Sequence, residues 1–262
     1  MVKRWFNRAI FASCLCIGVV QIAYAQEVRL VGNKVETFIN DGDQPSRLTS
    51  LVSAALEKTP HEITATTQAW SGSGLRNGQF DGYIDHYSLN DPKQNYIHSA
   101  PYVQLFLHVA STESRASNIS RLDKLNRQRV GLETRFANTD QVRSERSVSW
   151  ARTQDFFNNI KQLAEGRVDY IVADKVMLDE MNKKLVAVGQ ETLYIAAQPI
   201  FTVDVSLAMR SDYGKAQQII ESFESGIQAL RDSGRYEEIY LPDSGAESIL
   251  DAIIYEEMIK RW

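Results

Sequence analysis

The chain has 262 residues, 44% of them hydrophobic, and 29 basic against 33 acidic side chains give a formal net charge of −4. That balance argues against nucleic acid as a partner, because phosphate binding needs a concentrated basic face and none is visible. The length suits one large domain or two lobes of about a hundred residues each. There is no repeat and no low-complexity tract.

Lys3, Arg4 and Arg8 open the chain with positive charge, Ala9 to Val20 is apolar, and Ala23-Tyr24-Ala25 supplies small residues where a signal peptidase reads. Residues 1–25 therefore read as a cleavable signal peptide, with an apolar run short of the about 20 residues that a permanent anchor needs. Both cysteines, Cys14 and Cys16, lie in this leader, and Phe11-Ala12-Ser13 is a poor lead-in for lipidation. Cleavage after Ala25 leaves no cysteine, which excludes disulfides and thiol catalysis, and sets 26 basic against 33 acidic residues. The exported protein is expected to be soluble and periplasmic.

Beyond the leader, strands and helices alternate. Val28 to Val31 reads as a strand, Leu48 to Leu56 carries helical spacing through Leu48, Leu51, Val52 and Ala55, and Glu62 to Thr67 returns to extended character. Ser71 to Gly74 reads as a Gly/Ser turn before a short helix, followed by strands at Gly82 to Asp85 and Val103 to Ala110. The polar, Ser-rich stretch from Ser111 to Ser120 is the best boundary in the first half of the chain.

A second series follows: strands at Arg129 to Leu132 and Val148 to Trp150, a helix at Asp155 to Ala164, a buried strand at Val168 to Ala173 and a helix at Val176 to Leu185. Phe201 to Met209 is an extended apolar run long enough to cross between lobes. Ala216, Ile219, Ile220, Phe223, Ile227 and Leu230 mark one face of the clearest helix, which Gly234 ends. A last helix spans about Ala246 to Ile259, with packing as its expected role and docking of a partner as the alternative. Alternation of this kind implies mostly parallel sheets covered by helices.

Four segments in order carry a resemblance: LRNGQFDGYIDHYSLNDPKQNYIHSAPY (Leu75 to Tyr102), RLDKLNRQRVGLE (Arg121 to Glu133), AEGRVDYIVADKVML (Ala164 to Leu178) and ESFESGIQALRDSGRYEEIYLPD (Glu221 to Asp243). Together they resemble the family 3 extracellular solute-binding proteins, the amino-acid-binding partners of ABC importers. The resemblance implies an α/β fold of the two-lobed periplasmic binding protein type II, each lobe a mostly parallel sheet flanked by helices, with two hinge crossings. It places residues 26–109 and 204–262 in lobe 1 and residues 110–203 in lobe 2. A monomer closing on its ligand by hinge motion is the expected behaviour.

A free amino acid presents a carboxylate and an ammonium, so its receptor needs a cation or N–H donors on one side and a carboxylate on the other. The family's carboxylate-binding arginine falls here at Lys93, which lacks the planar two-pronged fork, and the spacing from Asp81 to Ser99 is one residue short of the family's. Lys93 is either that ligand or a solvated surface lysine. Where the family has a small Gly-Thr or Gly-Ser pair, this chain has Arg135-Phe136, so Arg135 either grips an anion across the cleft or is an exposed loop residue. Asp174, five residues after Asp169 at a strand-to-helix junction, matches the family's ammonium-binding carboxylate and is equally placed to cap the helix.

Asp85, His86, Tyr87 and Ser88 follow the Gly82 strand where family members line the cleft, here with bulkier and more polar side chains. Trp70 reads as an aromatic at a strand end, either a cleft wall or core, and Tyr102 beside Pro101 as structural. His61, His86, His98 and His108 have no metal-ligand spacing, and neither a nucleophile elbow nor a phosphate-binding glycine loop is present, so no cofactor, metal or catalytic group is expected. Capture of an amino acid or a related solute for an inner-membrane ABC permease is the leading expectation. A periplasmic sensor or regulatory subunit acting on a membrane signalling protein is the alternative, motivated by the altered cleft residues.

Overall fold

The computed structural model describes residues 27–41, 46–87, 95–243, 245, 247–260 and 262. The leader at 1–25 and the candidate ligands Ser88 and Lys93 lie outside the described residues. In chain order the elements are β1 (Val28–Asn33), α1 (Arg47–Ala55), β2 (His61–Thr66), α2 (Gln68–Arg76), β3 (Gly82–Tyr87), β4 (Tyr96–His98) and β5 (Val103–Ser111). Then come β6 (Arg129–Glu133), α3 (Asp140–Ser144), β7 (Ser149–Thr153), α4 (Phe156–Ala164), β8 (Tyr170–Asp174), α5 (Lys175–Ala187) and β9 (Tyr194–Ile195). The chain closes with β10 (Phe201–Arg210), α6 (Ala216–Asp232), α7 (Arg235–Tyr240) and α8 (Ala252–Ile259).

The strands run in the order β2-β1-β3-β10-β5-β8-β6-β7, with β4 attached to β10 and β9 to β5. β1 is parallel to β2 and β3, and β6 is parallel to β7 and β8. Between these triplets lie β5 and β10, antiparallel to each other and to their outer neighbours. Each of the two is shared: Val103 to Leu107 of β5 pair with β10 while Leu107 to Ala110 pair with β8, and Phe201 to Val205 of β10 pair with β5 while Val205 to Met209 pair with β3. These two strands are the crossings, and each half is a parallel triplet edged by one of them.

The same device starts both triplets. Arg29 on β1 grips Asp81 with Nη2 to Oδ1 at 2.8 Å and Nε to Oδ2 at 3.2 Å, and its backbone N–H also donates to Oδ2 at 2.9 Å. Arg129 on β6 grips Asp169 at 2.7, 3.3 and 2.9 Å through the same three donors. Each Asp returns its own N–H to the Arg carbonyl at 2.8 Å. Each also ends a Gly-x-x-Asp turn whose glycine, Gly78 or Gly166, has a positive φ of 77° or 65°. A left-handed turn that no side chain tolerates cheaply leads each helix into its strand.

Burial follows the sequence pattern. The apolar face of α6 (Ala216, Ile219, Ile220, Phe223, Ile227, Leu230) is buried, and a Cβ on Gly226 would lie 2.0 Å from the Ala55 carbonyl oxygen, so a glycine is what lets α6 cross α1 this closely. Tyr102 is fully buried, donates its hydroxyl to the Ile84 carbonyl at 2.7 Å and sits edge-on to Phe223, a structural role as its sequence context suggests. Ser71 to Gly74 does not form the expected turn: it lies inside α2. Its small residues answer to packing, since a Cβ on Gly74 would meet the Phe80 ring at 2.4 Å. The last helix begins at Ala252, where Asp251 accepts from Ile253 and Ile254, rather than near Ala246.

Candidate functional site

In open α/β sheets, groups that meet ligands gather outside the carboxyl ends of the parallel strands, because the strands stop there and loops can diverge. Here those ends deliver Asn33 from β1, Asp85 and Tyr87 from β3, Glu133 with the following Arg135 from β6, and Asp174 from β8. They gather at the seam between the halves.

Arg135 is the centre of the group. Its side chain is only 12% exposed. Nε and Nη2 donate to Glu133 Oε2 and Oε1 at 2.9 and 3.2 Å, and Nη1 donates to the Tyr87 hydroxyl at 3.1 Å, so a contact runs from β6 to β3 across the crossings. Aromatic faces enclose the plane: the guanidinium carbon is 4.3 Å from the Phe136 ring centroid and 5.8 Å from those of Phe38 and Tyr87. Burial opposes this charge, but Glu133 and then Tyr87 outweigh it and hold the guanidinium above its ordinary pKa. Burial also pushes the Tyr87 hydroxyl up to about 12, against the pull of Arg135.

Asp174 is 1% exposed. It caps α5, accepting from the Val176 N–H at 3.0 Å, and its other oxygen accepts from the Phe106 N–H of β5 at 3.1 Å. Asp85, 2% exposed, accepts from Asn33 Nδ2 at 2.8 Å and Asn33 N–H at 3.3 Å, while Asn33 Oδ1 accepts from Ser71 at 2.8 Å. Burial raises Asp85 to about 7 and Asp174 to about 6, and Arg135 pulls both back toward the charged form. The seam therefore holds three carboxyls, Asp85, Glu133 and Asp174, around one guanidinium, an environment that favours positive charge.

Further contacts join the halves around this group. Thr37 meets the Met177 sulfur at 3.2 Å, and Arg47 lies 3.6 Å from Glu180 while donating to the Tyr240 carbonyl at 2.8 Å. The Glu36 carboxylate accepts from Asp251 N–H at 3.0 Å and from the Tyr255 hydroxyl at 2.8 Å, and the Tyr255 ring packs edge-on against Phe157 of α4. Glu180 of α5 takes the Ile249 N–H at 2.8 Å. The C-terminal segment is thus fastened to both halves.

The candidates from sequence fall into separate groups. Asp174, Arg135 and Asp85 are brought together. Trp70 is not at a strand end: it lies in α2 and is 70% exposed, because that helix buries Ser71, Gly74 and Leu75 on its other side. His86 belongs to β3 rather than a loop and sits in a cluster of rings, stacked on His98 at 4.1 Å and edge-on to Tyr83. Sequence reasoning passed over Glu133, Asn33 and Phe38. A glutamate closing an otherwise apolar strand was the available signal for Glu133, and nothing in the local pattern marked the other two.

No family model matches the chain, and no curated protein matches it by sequence. Solved structures do. The GluR0 ligand-binding core in complex with L-glutamate superposes with a TM-score of 0.68 at 12% identity, over 83% of this chain and 99% of that one. The arginine-, lysine-, histidine-binding protein ArtJ of Geobacillus stearothermophilus gives 0.63 at 18% identity, over 82% and 94%. A histidine kinase sensor domain with similarity to periplasmic binding proteins gives 0.62 at 18% identity, over 83% and 96%. The fold is that of the two-lobed type II periplasmic binding proteins, each lobe a mostly parallel sheet flanked by helices and joined by two crossings. Among the described residues, no helix is long and apolar enough to cross a membrane.

Proposed function

We propose that this chain is a periplasmic solute-binding protein that closes two lobes, residues 26–109 with 204–262 and residues 110–203, over a small polar solute of the amino-acid class. Delivery to an inner-membrane ABC importer follows from that role, after export on the leader at 1–25. The observation that carries the reading is the convergence of Asp85, Tyr87, Glu133, Arg135 and Asp174, from three strand ends, on one buried interlobe position. Asp174 and Asp85 are the carboxylates for a solute ammonium. Closure shifts a population: a solute that touches both lobes favours the shut form, and a partner reads that form. The test is a thermal-melt panel of amino acids and related polar solutes on the mature protein. A ligand at about ten times its Kd raises the melting temperature by about 3 °C, and a panel with no shift removes the proposal.

A second reading, a sensor or regulatory subunit for a membrane signalling protein, is favoured by the Arg135 to Tyr87 bond, which lets the chain join its own lobes. The likeness to a kinase sensor domain supports it. Crosslinking in intact cells separates the two readings, since recovery of a signalling receptor rather than a permease decides for the sensor.

A further inference from the structure

A guanidinium in a protein interior needs three things: a carboxylate matching its fork, an acceptor for the remaining N–H groups, and flat faces above and below its plane. Arg135 has all three, and they come from both halves. Glu133 and Phe136 are its chain neighbours, whereas the Tyr87 hydroxyl and the Phe38 ring belong to the other half of the sheet. A local ion pair would need only Glu133, two residues away. The contributions from β3 and from the loop after β1 turn the pair into a receptor for a flat cation whose two walls stand on different lobes.

We infer that Arg135 is an internal ligand: its guanidinium occupies a cation site shared by the two lobes and holds them together as a bound solute cation would. The inference rests on the interlobe gap being the working site, and it adds the chemistry of the occupant. A solute entering this position has to carry a guanidinium or ammonium group and displace a tethered competitor. Its affinity is lowered accordingly, since only the fraction of molecules with Arg135 withdrawn can accept it. Interlobe closure then has two sources, one built in and one supplied.

The experiment compares wild type with Arg135→Ala and Tyr87→Phe, using methylguanidinium chloride at low millimolar concentration against sodium chloride of equal ionic strength. Arg135→Ala is expected to have a larger radius of gyration in solution scattering. Methylguanidinium is expected to return it to the wild-type value and to raise its melting temperature by about 3 °C, with no response from wild type. Tyr87→Phe leaves the Glu133 pair whole and removes only the Arg135 to Tyr87 bond among the contacts between lobes, so it is expected to expand the protein in the same direction and to a smaller extent. An Arg135→Ala protein with the wild-type radius and no preference for methylguanidinium overturns the inference. Should that variant not fold, a Tyr87→Phe protein indistinguishable from wild type overturns it instead. A solute that stabilises wild type but not Arg135→Ala makes Arg135 an ordinary solute contact, which ends the internal-ligand reading and leaves solute capture standing. Wild type silent to every solute beside an Arg135→Ala protein that answers methylguanidinium does the reverse.

Discussion

The two parallel triplets share one end and differ at the other. At their amino ends, Arg29 with Asp81 and Arg129 with Asp169 repeat the same three donor-acceptor contacts behind the same Gly-x-x-Asp turn. At their carboxyl ends each has a buried aspartate, Asp85 or Asp174, but the partners differ: Asn33 and Tyr87 face Glu133 and Arg135. The duplicated end has a structural problem to solve, pinning a strand to the turn that precedes its neighbour, and one solution serves twice. The divergent end meets in the gap, where the halves need complementary groups, an acceptor on one side for a donor on the other.

The staples look alike but should not weigh alike. Asp81 is nearly buried, at 4% side-chain exposure against 28% for Asp169. Asp81→Ala leaves the Arg29 N–H without its acceptor, while the half-exposed guanidinium keeps water and the Gly78 carbonyl at 3.0 Å, and is expected to cost about 2 kcal/mol in urea unfolding. The more exposed Asp169→Ala is expected to cost less than about 1 kcal/mol, because water takes over its role. Equal losses would show that the two ends are not stabilised in the way their geometry suggests.

The divergent end should announce itself through pH. Asp85 is raised to about 7 by burial, so the folded state holds a proton that the unfolded chain has released. For a carboxyl raised on folding, stability falls as pH rises from the unfolded value toward the folded one. Moving from about pH 7 to about pH 5 is therefore expected to add about 2 kcal/mol from Asp85, with Asp174, raised to about 6, adding in the same direction. Asp85→Asn should flatten most of that rise in melts taken across the range. A profile unchanged by the substitution would place the titration elsewhere.

The smallest effect belongs to the turns. Gly78→Ala and Gly166→Ala both place a side chain in the left-handed region and are expected to lose about 1 kcal/mol each by urea midpoint. Gly78 is expected to be slightly worse, since its new Cβ would lie 2.9 Å from Arg210 Nη1 whereas Gly166 meets open space.

Periodicity revealed the scaffold because scaffold signals are local. The α6 stripe from Ala216 to Leu230 and the extended apolar runs at Val103 and Phe201 can each be read within about 15 residues. Where composition and packing competed, packing won: Ser71 to Gly74 looks like a turn, yet α2 passes through it because Phe80 needs the space. α7 went unseen because it spans only six residues after the left-handed Gly234, too few to show a period. The interlobe group was half legible. Asp174 matched the family pattern and Arg135 departed from it, but Phe38 and Tyr87 reach Arg135 from remote parts of the sequence, and no window holds both sides of that contact.

The end of the chain sets a limit on all such motion. Tyr255 gives its hydroxyl to Glu36, beside the first strand, and its ring to Phe157 in the opposite half, while Ile249 is held by Glu180. Any gaping of the mouth must therefore either snap the Glu36 bond or drag α8 along with one side. A purification tag fused behind Trp262 hangs from this tether, and a chain trimmed before Ala252 swings without it.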